Sequence, residues 1–301
     1  MSEAFYVIAN GAAGGGRARA RSEALLDELR SAGVEVEVHY TEAPRHASNL
    51  AREAVKAGRR RFLSMGGDGT SYEIINGLFP RADGQDDPIT LGIIPLGTGN
   101  SFLRDFEIAD SQAAIQRIVR GDTHKCDVVK VTHRDGELHY LNILSIGFSA
   151  KVGDLTNRRF KPLGAAGYIL AVLTSIAGLE HPVDPLRADG EEALDDRAAT
   201  LLSFSNSKFT GGAMMMAPNA DVTDGKLDFI RVGALSRPGL LRAFPKIFRG
   251  THITLDDVEE RLVERIEFTQ EREQPVMIDG EVLDLALRSI EVIPSALEVL
   301  A

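Results

Sequence analysis

The sequence is poor in features that would point to several common functions. It has a single cysteine, Cys126, which excludes an internal disulfide and a cysteine-rich zinc site. We expect this residue to be a small buried hydrophobe. Positive charge is not in excess either, because the formal net charge is −10. A nucleic-acid binder normally presents a basic face, so we expect no nucleic-acid partner.

The sequence also lacks an apolar run that is clearly long enough to span a membrane. The most apolar segment, Leu163 to Leu179, contains three glycines and is at the short limit for a span of about 20 residues. We expect a helix that packs on a core. The first residues, Met1 to Ala4, include an acid and show no signal peptide. We therefore expect a cytoplasmic protein without a transmembrane segment.

What is present is the pattern of an α/β protein followed by a β-rich part. A chain of 301 residues with 44% hydrophobic content fits roughly two domains. Its first half alternates strand-like runs with helical periodicity, which predicts a parallel sheet covered by helices. After Gly121 short strand-like runs dominate, with an Asp-Gly hairpin at 134–137 and helical interruptions at Leu163–Leu179 and Leu240–Phe248. We expect this half to be mainly antiparallel β.

The pentapeptide Gly66–Thr70 is central to the first half. It follows the apolar run 62–65 and precedes a helical pattern at 71–79. Glycines bring a backbone close to an anion, and the N-terminus of the next helix attracts negative charge. Asp68 would repel a phosphate unless Mg²⁺ lay between them. The alternative is a tight turn with Asp68 as a helix cap.

Two further glycine-rich segments also follow predicted strands, Asn10–Gly16 and Gly97–Asn100. Neither they nor Gly66–Thr70 form a P-loop or a Rossmann fingerprint. Because strand ends of a parallel sheet meet at one edge, the three together favour a nucleotide site. Three nearby arginines would approach its phosphates or simply be solvated helix charges: Arg17, Arg19 and Arg21.

The second half has two acidic turns. Asp221, Asp224 and Asp228 surround Gly225, which suits a hard cation such as Mg²⁺ or Ca²⁺ and equally suits an Asx-type turn. Asp279-Gly280-Glu281 follows a buried strand-like run, where a carboxylate would act as a general base. The same tripeptide occurs at Asp135 and at Asp189, however, so on these residues alone a turn is favoured.

Taken together, the motifs resemble those of the diacylglycerol kinase catalytic-domain family, which includes sphingosine kinases and bacterial soluble lipid kinases. The matching stretches extend from Asn10–Gly14 to Asp279-Gly280-Glu281 and cover nearly the whole chain; between these two lie Gly66–Thr70 with Glu73, Asn76 and Gly77, Pro95–Asn100, Ile146–Phe148, Asn206, Gly211-Gly212, Ala217-Pro218 and Asp224–Asp228. The resemblance implies a parallel α/β domain of the NAD kinase/phosphofructokinase-like type at 1–130, joined by about 290–301. A mainly antiparallel β domain would occupy 131–289, with the active site in the cleft between the two domains.

The resemblance also implies transfer of the ATP γ-phosphoryl group to a lipid hydroxyl, with Mg²⁺ as the metal. Glu281, with Asp279 beside it, would be the proton acceptor, and Asp68 would act through Mg²⁺. A second, structural Mg²⁺ would bind Asp221, Asp224 and the backbone of Lys226, and Asp127 would join the first metal's network through water. The nucleotide would be bound by Asn10, Gly14, Thr41, Gly66, Gly67, Asp68, Gly69, Thr70, Ser71, Tyr72, Thr98 and Asn100.

Three positions depart from the family pattern. Tyr72 stands where Asn is expected, 101–103 reads Ser-Phe-Leu where Asp-x-Ala is common, and Thr223 replaces a frequent Asp. An NAD kinase-like small-molecule kinase and a catalytically silent nucleotide or lipid sensor are the alternatives. The acceptor, a diacylglycerol or a long-chain base, is left open. A lipid substrate at a membrane surface implies transient membrane association, and a homodimer is possible.

Overall fold

The computed structural model describes residues 3–11, 17–81, 87–96, 100–160 and 164–301. Gly14 and Thr98, two of the predicted nucleotide ligands, lie outside these ranges. The chain divides into two compact units. Unit 1 consists of Met1–Val128 and Ile293–Ala301, and unit 2 consists of Val129–Val292.

The regular elements alternate in the first part of the chain and are mostly strands in the second. The helices are α1 (Arg17–Ser31), α2 (His46–Lys56), α3 (Asp68–Leu78), α4 (Ser111–Arg120), α5 (Phe148–Leu155), α6 (Gly164–Ala177) and α7 (Arg237–Ala243). The strands are β1 (Phe5–Ala9), β2 (Val36–Tyr40), β3 (Arg61–Gly66), β4 (Thr90–Pro95), β5 (Thr123–His133), β6 (Gly136–Tyr140), β7 (Ile143–Gly147), β8 (Leu186–Ala188), β9 (Ala199–Ser205), β10 (Phe209–Thr210), β11 (Met214–Met215), β12 (Leu227–Gly233), β13 (Val258–Val263), β14 (Arg265–Phe268), β15 (Glu273–Ile278) and β16 (Glu281–Leu300). The residues of β5 and β16 are divided between the two units.

Unit 1 contains a parallel sheet in the strand order β2-β1-β3-β4, with the end of β16 added beside β4. Every residue of β1 is buried, as expected for a strand covered on both faces. Leu25, Leu26 and Leu29 give α1 its apolar side and pack into the core of this unit. At α4, Asp110 accepts two N-terminal N–H groups, and Gly121 ends the helix with φ +73°, because a left-handed residue costs least at glycine.

The helix after β3 begins earlier than the sequence pattern predicts. The pattern places a turn at Gly66–Thr70 and a helix from 71, whereas α3 begins at Asp68. Gly66 is what permits this early start, since a Cβ built there would lie 2.3 Å from the Thr70 hydroxyl oxygen. Asp68, Gly69 and Thr70 therefore form the first turn of α3.

Unit 2 contains an antiparallel sheet in the order β13-β12-β9-β7-β15, to which the start of β16 is added. The β15–β16 hairpin turns at Asp279 and Gly280, both with positive φ (47° and 89°), which matches the twist of the strands in a two-residue turn. Buried residues of α6, α7 and the sheet form one apolar core. The expected fold class, a parallel α/β part followed by a mainly antiparallel β part, is confirmed. Among the described residues, no helix combines the length and apolarity that a bilayer crossing requires.

Candidate functional site

The carboxyl ends of β1, β2 and β3 lie side by side in unit 1, and three predicted ligands are located there. The Asn10 N–H donates to the Met65 carbonyl at 2.9 Å, and the Thr41 N–H donates to the Ala9 carbonyl at 2.9 Å. The Asn10 side-chain amide donates to the Thr70 hydroxyl at 3.4 Å, which joins the end of β1 to the first turn of α3. The structure therefore brings Asn10, Thr41 and Thr70 to one edge of the sheet.

Asp68 lies at the N-terminus of α3, where its negative charge is favourable. Its carboxylate accepts hydrogen bonds from the Ser101 N–H (3.1 Å) and from the Ser101 hydroxyl (3.3 Å). Ser101 is one of the residues that depart from the family pattern, so this departure places a neutral donor beside the predicted metal-linked acid. The same contact holds the segment that follows β4 against α3.

Three further predicted nucleotide ligands are buried to different degrees along this edge. The Ser71 hydroxyl is buried and lies 3.1 Å from the Ser64 hydroxyl, and Tyr72 is buried in α3. The side-chain amide nitrogen of Asn100 is buried and has no hydrogen-bond partner among the described residues. Because a buried donor without an acceptor is costly, Asn100 is the residue at this edge that most needs a ligand oxygen.

A surface pocket of about 650 Å³ opens beside the ends of β1 and β2. Its lining includes Gly11, Thr41 and the ring of Tyr40, and the Arg19 guanidinium lies 4.7 Å from that ring's centroid. Burial and the hydrogen bond to Glu23 raise the pKa of Tyr40 to about 12, so the phenol stays neutral. Sequence reasoning included Thr41 but missed Tyr40. The position of Tyr40 at the end of a predicted strand was the available signal.

The arginines near this edge have different roles. Arg21 donates to the Leu96 carbonyl (3.3 Å) and to the Ser111 hydroxyl (3.0 Å), so it holds the segment after β4 to α4. Arg19 lines the pocket, where a cation would attract an anionic ligand. The side chain of Arg17 lies outside the described part of the chain.

Several motif residues that follow Gly66–Thr70 are structural. The Glu73 carboxylate accepts the backbone N–H groups of Arg45 (2.9 Å) and Ala47 (3.2 Å) and so caps α2 from α3. Gly77 allows the two helices to touch, because a Cβ there would lie 2.3 Å from the Ser48 carbonyl oxygen. This part of the motif shapes the scaffold of unit 1.

In unit 2, Asp279 is buried and its carboxylate is fully engaged with backbone donors. It accepts the N–H groups of Leu141 (3.1 Å), Asn142 (3.0 Å) and Ile143 (3.0 Å). Burial raises the pKa of Asp279 to about 6, and the hydrogen bonds from these donors oppose that rise. Since both oxygens are in use, Asp279 fixes the segment between β6 and β7.

Glu281 differs from Asp279 although only Gly280 separates them. It is the first residue of β16, it is exposed, and its backbone pairs with Ile278 across the hairpin. No described side chain or backbone donor forms a hydrogen bond or an ion pair with its carboxylate. The rigid turn at Asp279 therefore presents the Glu281 carboxylate with its lone pairs available.

The polar residues after β9 complete the network around Asp279, and sequence reasoning picked out only one of them. Asn206 donates its side-chain amide to the Leu141 carbonyl (2.8 Å), and the Ser207 hydroxyl donates to the Asn142 side-chain oxygen (3.0 Å). All of these side chains are buried. Asn206 belonged to the motif set, whereas no sequence signal marked Asn142 or Ser207.

The acidic segment 219–228 forms turns of the Asx type. The Asp221 carboxylate accepts from the Thr223 N–H (3.0 Å) and hydroxyl (2.7 Å), and the Asp224 carboxylate accepts from the Lys226 N–H (2.9 Å). Thr223 thus uses its hydroxyl where a second acid is frequent in the family. Among the described residues, no three acidic, histidine or cysteine side chains form a group that could hold a metal ion.

The same segment nonetheless brings several acids close to Asp228. Burial, together with the nearby charges of Glu260, Asp224 and Asp221, raises the pKa of Asp228 to about 7. One oxygen of Asp228 and one of Glu260 are buried without a hydrogen-bond partner among the described residues. Carboxylate and carbonyl oxygens are hard donors that suit Mg²⁺. The predicted set of Asp221, Asp224 and the Lys226 backbone carbonyl is therefore compatible with a metal site.

Asp127, the fourth predicted metal residue, is buried in unit 1. Its carboxylate accepts the Ser295 N–H at 2.7 Å, where Ser295 has a positive φ of 51°. The contact fixes β16 as it returns beside β4. Asp127 thus belongs to unit 1, whereas Asp221 and Asp224 belong to unit 2.

Unit 2 also contains a pocket with an almost wholly apolar lining. Its walls come from α5, β9, β12, α7 and the residues after α7, and they include Phe148, Val152, Leu201, Met214, Met216, Leu240, Phe244, Ile247 and Met277. The cavity is narrow, at about 80 Å³, and methionines adapt their shape to a ligand. Met214 and Met216 also belong to the apolar core of unit 2.

Comparison with known proteins shows to which family these elements belong. Residues 4–131 match the family model described as "Diacylglycerol kinase catalytic domain", and residues 142–301 match "YegS C-terminal NAD kinase beta sandwich-like domain". The chain is 33% identical to a diacylglycerol kinase of Mycobacterium tuberculosis, over 97% of this chain and 93% of that protein. It is 26% identical to the diacylglycerol kinase of Bacillus subtilis, over 85% of this chain and 82% of that protein.

Solved structures agree with the fold. A diacylglycerol kinase structure from Bacillus anthracis str. Sterne superposes with a TM-score of 0.78 at 25% identity, covering 99% of this chain and 95% of that one. The resemblance inferred from the glycine and acidic motifs is thereby confirmed along the whole chain. The chain belongs to the diacylglycerol kinase catalytic-domain family of lipid kinases.

Proposed function

We propose that the protein transfers the γ-phosphoryl group of ATP to the hydroxyl of a diacylglycerol or a long-chain base. One observation carries the proposal. A chain of this kinase family has, in unit 1, a sheet edge with a helix N-terminus suited to phosphate and, in unit 2, an apolar pocket. A relative that covers almost the entire chain has the name diacylglycerol kinase, which supports a diacylglycerol as the first acceptor to test.

In this proposal, the strand edge of unit 1 binds the nucleotide. The N-terminus of α3, at Asp68 and Gly69, faces the phosphates, and Asn10, Thr41 and the Thr70 side chain border them. The side-chain amide of Asn100, which no described residue accepts from, supplies a further donor. The pocket of about 650 Å³ is of the size that takes a drug-sized ligand, and its Tyr40 ring offers an aromatic face to the base.

Glu281 is the proposed general base, and Asp279 is the proposed positioning residue. Glu281 accepts the proton of the lipid hydroxyl while the hydroxyl oxygen forms a bond to the γ-phosphorus. The bond between that phosphorus and the bridging oxygen breaks, and ADP leaves with the electron pair. Asp279 is already saturated by three N–H donors, so its function is to hold the turn that orients Glu281.

Mg²⁺ is proposed at two places. Asp68 would hold the ion that neutralises the phosphate charge that develops during transfer, and Asp127 would join its network through water. Asp221, Asp224 and the backbone carbonyl of Lys226 would hold a structural ion, and the raised pKa of Asp228 supports a cation in that neighbourhood. Such an ion reduces the repulsion among the acids of the segment.

The apolar pocket of unit 2 is proposed to take the acyl chain. Its volume of about 80 Å³ is well below the roughly 300–1,000 Å³ typical of ligand pockets, so a bound chain requires its walls to separate. Met214, Met216 and Met277 provide adaptable walls for this change.

The test is phosphate transfer from radiolabelled ATP with Mg²⁺ to separate acceptors: a diacylglycerol, sphingosine, a crude lipid extract and NAD⁺. The product is identified by mass. Glu281→Gln is expected to reduce transfer by at least about 10²-fold, the size of a general-base contribution. Nucleotide affinity and thermal stability should be unchanged, because the Glu281 carboxylate has no partner among the described residues.

Glu137→Gln is the matched control, since Glu137 follows Asp-Gly in the exposed β5–β6 hairpin. Turnover of Glu281→Gln at the wild-type rate would remove Glu281 as the base. Phosphorylation of NAD⁺ alone would assign the chain to small-molecule kinases. Tight ATP binding without transfer to any acceptor would identify a nucleotide sensor.

A further inference from the structure

The segment from Arg237 to Arg249 has apolar side chains both toward the apolar pocket and toward solvent. It comprises α7 and a 3-10 helix at Phe244–Arg249. Leu240, Phe244 and Ile247 point inward and line the apolar pocket. Leu241 and Phe248, in contrast, are each 49% exposed. The segment is therefore one wall of the pocket and also presents large apolar side chains to its outer face.

A contact between two aromatic rings joins the outer face of the segment to the pocket wall. The ring of Phe244, which lines the pocket, meets the ring of Phe248 edge-on at a centroid distance of 6.0 Å. The exposed ring of Phe248 is thus in direct contact with a residue of the pocket wall. Isolated exposed hydrophobics need no explanation, but a patch that continues into an apolar pocket indicates a binding surface.

The charge of the segment is opposite to that of the whole protein. Residues 232–255 contain four cations and no acid, in a chain of net charge −10. The four cations are Arg237, Arg242, Lys246 and Arg249. None of them forms an ion pair with a described residue. Other arginines of the same unit are each paired with an acid: Arg197, Arg261, Arg265, Arg272 and Arg288.

We propose that this segment, residues 237–249, docks onto an anionic lipid surface, with Leu241 and Phe248 inserted and the four cations at the headgroups. Apolar side chains flanked by Lys and Arg are the composition of helices that lie in a membrane interface, and each cation near an anionic surface adds attraction. The inference rests on the proposed lipid-kinase function. Docking places one wall of the apolar pocket at the membrane, where a lipid acceptor resides.

The absence of tryptophan permits a direct test. Phe248→Trp introduces a single fluorescent reporter on the proposed face, and Leu262→Trp introduces one at an exposed site of β13 that is 53% exposed and lies beside Glu260 and Arg261. Both proteins are mixed, without ATP, with vesicles of phosphatidylcholine containing about 30% phosphatidylglycerol, an anionic surface of the kind that attracts basic segments. The emission of the Phe248→Trp protein is expected to shift to shorter wavelength and to be quenched by brominated acyl chains, and the Leu262→Trp protein should show neither effect.

Vesicle sedimentation then measures the contributions of the side chains. Leu241→Ser should weaken binding on the order of tenfold, as the transfer free energy of a leucine predicts. Arg242→Gln with Arg249→Gln should weaken it by roughly fivefold for each cation, and Arg261→Gln should leave it unchanged. Near-ultraviolet circular dichroism of each variant checks that the fold is retained.

Several results would overturn the proposal: no binding of the wild type, equal binding to pure phosphatidylcholine, or retained binding after Leu241→Ser. A concentration-dependent dimer that Leu241→Ser abolishes would assign the face to a second copy of the chain. Transfer to a short-chain diacylglycerol in detergent micelles is measured in parallel. If the wild type transfers no phosphate to the micellar substrate, the proposed function is contradicted. If it does transfer phosphate in micelles but does not bind vesicles, only the docking surface is contradicted.

Discussion

Replacing Asp228 with asparagine is expected to stabilise the protein, which is unusual for a change at a buried residue. Asp228 lies on β12 and is only 2% exposed. One of its oxygens and one of Glu260 are buried without a described partner. The side-chain amide that Asp228→Asn introduces can donate to the carboxylate of Glu260, so the change removes a buried charge and satisfies an orphaned acceptor.

The sign of the pH dependence follows from the direction of the shift. Burial and the neighbouring acids raise the pKa of Asp228 from 3.8 to about 7 in the folded protein, so the unfolded chain ionises first. Below about pH 4 the group is neutral in both states and costs nothing. The penalty grows as pH rises through the interval up to about 7 and is constant above it. The difference corresponds to about 4 kcal/mol, which solvent screening reduces to roughly 1–3 kcal/mol.

The measurement is the free energy of unfolding in urea at pH 5, 6, 7 and 8, with a chelator present. Asp228→Asn should exceed the wild type by no more than about 1 kcal/mol at pH 5 and by about 1–3 kcal/mol at pH 8. Asp256→Asn, at an exposed position, is the control and should show no such trend. Mg²⁺ should narrow the gap at pH 8, because a cation relieves the same repulsion in the wild type.

A variant that is less stable than the wild type at pH 8 would refute this account of Asp228. So would a stability difference that does not change between pH 5 and pH 8. Either result would mean that the ionised carboxylate makes favourable contacts that outweigh its repulsion from the other acids.

Two further substitutions test the packing around the predicted site. Gly77→Ala should lower the free energy of unfolding by about 2 kcal/mol, since overpacking against the Ser48 carbonyl exceeds the gain in helix propensity. Thermal unfolding measures this change. An unchanged unfolding midpoint would contradict the close contact between α2 and α3. Gly178→Ala, where the nearest atom is the end of a flexible lysine, is its control. Asp279→Ala should cost on the order of 2 kcal/mol in urea unfolding because it leaves three buried N–H groups without an acceptor, whereas Asp135→Ala, in an exposed copy of the same tripeptide, should be nearly neutral. Equal losses for the two aspartates would show that the buried network does not contribute.

The sequence specified most elements whose signals are local. The helical periodicity of the first half predicts helices between its strands, and α2 is one of them, because an apolar stripe every three to four residues defines a helix face. The strand runs that precede the glycine-rich segments likewise correspond to strands of the parallel sheet. At α3 the local pattern failed by three residues, since glycines in a first helical turn look like glycines in a loop.

The segment after Leu240 shows a similar limit. The pattern predicts one helix at 240–248, whereas the structure has an α-helix that ends at Ala243, followed by a 3-10 helix at Phe244–Arg249. Pro245 lacks an N–H group and hinders a continuing α-helix. Which of its neighbours face the pocket and which face outward depends on the rest of unit 2, which a local pattern does not encode.

The three Asp-Gly-Glu tripeptides show most clearly what the sequence alone determined. It determined that each is a turn, because Asp-Gly pairs favour positive φ, and motif order along the chain identified the family. It did not determine that Asp279 is the buried copy, with donors from residues 136 to 138 positions away. Only the tertiary structure decides this, since burial and hydrogen bonding between distant segments depend on how the strands of unit 2 pair, and identical local sequences have no information about that pairing.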